Sequence, residues 1–278
     1  SSLIHIFDDN KFYTRLILLI LIGLGNFYLL ESPLNIMITA IEVVVVMSLM
    51  IRKDYPSALI FHVIFCLTGC DATSASSDAQ LFSYPEIKLI GPLTLSYILL
   101  GMLWLANRKK TIQAPKDSLL WGVRKLMSFF LIYGTGIGVL GLLIFNYRLN
   151  DFITAFIYIF VGYLYVDIFS RNYDDNYLHK CKNAAMSLLL TAPIVSFISY
   201  FLLNIRVSYS VFDALVFNEE FIMGAILILI LFTDVKYKVA YMVSLTLYIV
   251  CLVIAGRGGF FLSLLICFLV LIYFTYFV

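Results

Sequence analysis

From residue 16 to residue 278 the chain is a succession of apolar runs, each ended by a short polar or basic interruption. This punctuation constrains the fold more than any single motif. A run long enough to cross a bilayer has no water to satisfy its backbone, so it must pair its own N–H and C=O groups, as an α-helix does. The residue content agrees: 62% of residues are hydrophobic and 13% are charged. Soluble domains are about half apolar and about a quarter charged. The expected class is therefore an all-α, polytopic transmembrane helical bundle, with residues 1–278 forming a single transmembrane domain.

Ten spans are expected, near 16–30, 34–51, 58–70, 89–106, 126–147, 152–169, 185–203, 221–233, 239–255 and 260–278. An amphipathic lead-in, 5–15, precedes the first. Glu31-Ser32-Pro33 and Arg52-Lys53-Asp54-Tyr55-Pro56 break the early runs, because proline ends helices. Residues 71–87 form the longest polar gap without a basic residue. Residues 111–125 are a basic linker, with a surface helix expected over 116–125, and 171–183 is read as a polar gap. Pro193 predicts a kink in the seventh span. Gly134, Gly136, Gly138 and Gly141 lie in the fifth span, where small residues a turn apart let helices pack closely. No positively charged leader with a cleavage site precedes the first span. The chain opens at Ser1-Ser2 and closes within an apolar run at Val278, so further chain past Val278 is expected.

Orientation follows from the basic residues. With the N-terminus inside and ten alternating spans, fifteen of the nineteen lysines and arginines fall inside. They are Lys11, Arg15 and those within 52–53, 108–125, 171–182 and 236–238. Outside fall Lys88, Arg148, Arg206 and Arg257. The positive-inside rule supports this orientation and rejects its inverse. The outer loops are then 31–33, 71–88, 148–151, 205–220 and 256–259.

Three of the four outer basic residues are arginines at membrane ends. Arg257 sits between two apolar runs, in Gly256-Arg257-Gly258-Gly259, where the glycines allow a tight turn or a close ligand approach. A guanidinium is a planar, permanently charged fork suited to phosphate. Asp151 lies beside Arg148, and Asp213, Glu219 and Glu220 share the face of Arg206, so ion pairing competes with ligand binding there. Arg257 has no acidic neighbour in sequence. Candidate substrate-binding residues are therefore Arg257, Arg206, Arg148 and Gly258. Within the apolar runs lie Glu42, His62 and Asp167, which suit either a proton path or a polar clamp between helices. Glu42 is mid-span, Asp167 is near an inner end and expected to be hydrated, and His62 is read as a packing histidine. Cys66 and Cys70 are a turn apart, yet no second pair or nearby histidine completes a zinc site. No metal, cofactor or nucleic acid is expected. Tyr147, Tyr209 and Phe212 could stack on sugars or belong to interface belts.

The segment 256–263 resembles the arginine-glycine signature of the bacterial O-antigen polymerase and ligase family, where a Ser-Arg-Gly segment opens a membrane helix from its periplasmic end. Gly256 stands here where serine is usual. The resemblance implies a GT-C-like, metal-independent glycosyltransferase of the bacterial inner membrane. It implies that arginines hold the diphosphate of an undecaprenyl-diphosphate-linked glycan. It also implies a catalytic histidine in a periplasmic loop, which would lie beyond Val278. Polymerisation of O-antigen or other surface polysaccharide repeat units is the first expectation, with membrane lipids and a chain-length regulator protein as partners. Ligation to lipid A-core is the second. The rival from another class is a lipid-linked oligosaccharide flippase or transporter, coupled through Glu42 and Asp167.

Overall fold

The computed structural model describes residues 3–28, 34–68, 84, 87–90, 93–144, 148–198 and 246. Two 3₁₀ turns, Leu3–Phe7 and Asp9–Lys11, lead into α1 (Phe12–Tyr28), α2 (Leu34–Ile51) and α3 (Tyr55–Thr68). A two-stranded antiparallel hairpin, β1 (Lys88–Ile90) and β2 (Leu93–Thr94), precedes α4 (Leu95–Asn107). Then follow α5 (Leu119–Ile144), α6 (Leu149–Arg171) and α7 (Asp175–Phe197). The described chain is thus mostly helical. Three stretches are long and apolar enough to cross a membrane: Leu34–Ile51, Leu120–Ile144 and Phe152–Arg171. Tyr55–Thr68 and Leu95–Asn107 are shorter apolar helices. Apart from residue 246, the eighth to tenth expected spans lie outside the described residues, as do the outer loops at 31–33, 205–220 and 256–259 and residues 71–83 of the loop at 71–88.

Local chemistry sets the breaks. At the end of α2 the Asp54 amide donates to Leu49 O and the Lys53 amide to Met50 O, with Lys53 at φ 59°. This is a Schellman stop, here with lysine at the left-handed position that glycine usually takes. Asp54 then starts α3, its carboxylate accepting from the Ser57 amide and hydroxyl. Thr94 caps α4 by accepting from the Tyr97 amide at 3.5 Å. Ser118 does the same for α5 through the Trp121 amide at 3.3 Å.

Three elements differ from the sequence expectation. The expected surface helix over 116–125 and the span after it are one helix, α5, because no breaker separates Lys125 from Leu126. Helix α7 begins at Asp175, so the expected polar gap at 171–183 shrinks to a few residues. Its polar first turns have partners: Lys180 pairs with Asp8, and Asn183 donates to Phe7 O and Asp9. The start of the fourth expected span is the β-hairpin rather than helix.

The chain divides into two compact units. One takes residues 1–42, 63–86 and 180 onward; the other takes 43–62 and 87–179. In the first, Gly23 of α1 lies against Val195 of α7 and Gly25 against Ile38 of α2. In the second, α5 and α6 pack through Gly134, whose missing Cβ faces Ile159, and Gly138, where the Phe152 ring fills the space a Cβ would take. Elsewhere α5 is apolar and exposed, at Leu126, Phe129, Ile132 and Leu143 among others, as a lipid-facing surface would be.

Candidate functional site

Of the sequence candidates, Arg148 is described. It is exposed and holds the N-cap position of α6, where its carbonyl accepts from the Phe152 amide at 3.2 Å. Its side chain makes no capping hydrogen bond. Arg206, Arg257 and Gly258 lie outside the described residues. The three ionisable residues of the apolar runs are all described, and all three are buried.

Asp167 is 0% exposed rather than hydrated. Three donors replace water around its carboxylate. Trp104 Nε1 of α4 donates to Oδ2 at 2.8 Å, Arg124 Nε of α5 to Oδ1 at 2.7 Å, and Arg171 Nε of α6 to Oδ2 at 2.8 Å. A buried carboxylate is tolerable when cations and hydrogen bonds surround it, and here both are present. The network continues outward. Arg171 also donates to Arg108 O and Lys110 O, Lys110 Nζ donates to Asn172 Oδ1, and Asn172 Nδ2 donates to Asn107 Oδ1. Gln113 and Ala114 amides close the linker onto Ser170 O. The end of α4, the start of α5 and the end of α6 are therefore tied together. His62, 1% exposed, packs its ring against Tyr165 at 5.8 Å between centroids.

Glu42 stands in a different setting, within the first unit. It is 3% exposed, and Asn26 Nδ2 of α1 donates to its Oε1 at 3.1 Å. The same amide nitrogen donates to Thr68 Oγ1 of α3 at 3.3 Å, and that hydroxyl donates to Ile64 O. Glu42 Oε2 and Asn35 Nδ2 are buried with no hydrogen-bond partner among the described residues.

Near the N-terminus, Arg15 is buried and donates to Ser187 Oγ at 2.6 Å and to the carbonyls of Ile6 and Asp8. The His5 ring hydrogen-bonds Asp8 at 2.9 Å and holds its carboxyl below the usual carboxylate range, with Lys180 assisting.

Sequence reasoning found Glu42, His62 and Asp167 as polar residues in apolar runs. It missed Asn26, Thr68, Trp104, Arg124 and Arg15 as their partners or counterparts. The one signal available was spacing: Asn35, Thr39 and Glu42 recur at helical intervals on one face of α2. Among the described residues no group of three His, Cys, Asp or Glu side chains could hold a metal ion. No protein-family model, no curated protein and no solved structure matches the chain.

Proposed function

We propose that the protein is a multi-pass enzyme of the bacterial inner membrane that polymerises undecaprenyl-diphosphate-linked O-antigen or surface polysaccharide repeat units at the periplasmic face. The observation that carries this reading is Arg257 within Gly256-Arg257-Gly258-Gly259, a break between two apolar runs without an acidic neighbour. The charge alternation over ten spans assigns that break to the outer side. Two features of the described chain support it. It is helical with membrane-length apolar helices. The basic segments that the alternation assigns to the inner side also meet in space, 108–114 with Arg124 and Arg171 in one unit, and the N-terminal turns with 180–187 in the other.

In such a reaction a hydroxyl of the acceptor glycan attacks the anomeric carbon of the donor, giving up its proton to a general base, as the bond to the diphosphate oxygen breaks. Negative charge accumulates on the departing phosphate. A fixed guanidinium at Arg257 stabilises the transition state more than the ground state, because the charge it faces grows during bond cleavage. Gly258 leaves room for the phosphate to approach the backbone. Arg206 and Arg148 are the further arginines that the charge alternation assigns to the outer side, with Arg148 ranked last because Asp151 is its neighbour in sequence.

The test is glycan chain length at matched protein level. Losing one such contact costs a few kcal/mol, about a hundredfold or more in rate. Arg257→Ala should abolish polymer while membrane insertion stays normal. Arg257→Lys keeps the charge, loses the two-pronged geometry and should fall between. Arg206→Ala should be impaired and Arg148→Ala least. Wild-type chain lengths from Arg257→Ala would overturn the assignment. A flippase or transporter is the reading that the buried, half-partnered Glu42 favours. Loss of lipid-linked glycan translocation in Arg257→Ala, with polymerisation intact in a bypassed assay, would turn the assignment that way.

A further inference from the structure

Two carboxyls are buried in apolar helices, and their surroundings differ in kind. Asp167 has two guanidiniums and an indole N–H. Among the described residues Glu42 has one amide donor, on Oε1, and no partner on Oε2. No cation pairs with Glu42 among the described residues. Among the described residues, buried Tyr84 is acted on by the charges of Glu42 and Cys66, and neither Tyr84 nor Cys66 supplies a positive charge. With no cation beside it among the described residues, a carboxylate in this buried position is costly. Binding a proton on the open Oε2 removes that cost. A metal cation would need several more oxygen ligands than Glu42 and Thr68 provide.

The same face of α2 carries two further buried polar residues. Thr39 is one turn and Asn35 two turns before Glu42, both 2% exposed. That stripe is about 10 Å long at 1.5 Å per residue. Its far end holds Asn35 Nδ2, which is also without a partner among the described residues. Buried polar atoms without a protein partner are where internal water binds. We propose that Glu42 is a reversible proton-binding site, its proton on Oε2, reached by water along the Asn35–Thr39 stripe. This goes beyond glycosyl transfer and does not rest on it.

Infrared spectroscopy of the full chain in lipid tests this directly. Subtracting the Glu42→Gln spectrum from the wild-type one should leave a carboxylic-acid carbonyl band that shifts in D₂O and disappears as the pH is raised. Carboxylate bands in its place across the whole pH range overturn the proposal, and so does an acid band that neither D₂O nor pH moves. Asn35→Leu should slow the D₂O shift severalfold; an unchanged rate removes the stripe as the route. A second measurement uses the hydrophobic reagent dicyclohexylcarbodiimide. The acid O–H adds across one N=C bond, its proton passing to nitrogen, and the acyl group then migrates from oxygen to nitrogen with no leaving group. Peptide mapping should find the adduct on Glu42 and not on Asp167; the reverse pattern overturns the proposal. Glycan chain lengths in the Arg257 variants report on the other reading and are separate from all these outcomes.

Discussion

Asp167 shows how much a single buried charge depends on its partners. Removing the carboxylate would take the shared acceptor from Arg124 Nε, Trp104 Nε1 and Arg171 Nε and leave two guanidiniums beside each other, Arg171 keeping only its bonds to Arg108 O and Lys110 O. Breaking a buried pair from one side costs roughly 3–5 kcal/mol, whereas replacing all its members by well-packed apolar groups costs far less. Asp167→Ala should therefore lower the thermal midpoint of the detergent-solubilised protein sharply. The triple variant Asp167→Leu, Arg124→Leu, Arg171→Met should recover much of it. An unchanged midpoint for Asp167→Ala would show that the cluster contributes little. Asp167 itself was legible in the sequence as an acid in an apolar run. Its burial was not, because Trp104 and Arg124 are 63 and 43 residues away and no local period connects them. Glu42 was legible in the same way, and its partner Asn26 was hidden for the same reason, being on another helix.

The helices themselves were read from apolar run length, and that signal is strong because lipid admits few alternatives. Boundaries were read less well where polar residues are satisfied by distant chain rather than by water. The first turns of α7 look like a loop until Lys180 and Asn183 are seen bonded to the N-terminal turns. Glycine spacing in α5 was informative because it reports on the neighbouring helix. A Cβ on Gly138 would overlap the Phe152 ring, whereas one on Gly134 would meet Ile159 at 3.5 Å, an ordinary contact. Gly138→Ala should thus destabilise the α5–α6 pair by about 1–3 kcal/mol, the usual cost of overpacking. Gly134→Ala should be tolerated. Pairing Gly138→Ala with Phe152→Ala should recover part of the loss, since the second change removes the obstacle. Thermal midpoints of the four proteins check this, and equal losses at the two glycines would contradict it.

At the scale of the molecule the question is which side of the membrane each break faces, and the whole functional reading hangs on it. Arg257 can meet a periplasmic diphosphate only if an odd number of spans separates it from a cytoplasmic N-terminus. Fifteen basic residues against four support that parity, since each lysine or arginine near a span end biases its loop inward. One missed or doubled span between the early loops and Arg257 would invert the outcome for Arg257 while leaving the early loops untouched. Two sites test the early and middle parity: Ser76, in the acidic gap without basic residues, and Asn176, exposed in the first turn of α7. In a background with the five native cysteines replaced, a membrane-impermeant thiol reagent should label Ser76→Cys in intact cells. Asn176→Cys should react only after the membrane is opened. A third cysteine at Gly259 carries the test to the motif and should label from outside. Labelling of Asn176→Cys but not Ser76→Cys in intact cells would reverse the topology. With three spans between Asn176 and Arg257, it would also put the guanidinium of Arg257 on the cytoplasmic face, where it could not hold a periplasmic leaving group whatever its chemistry.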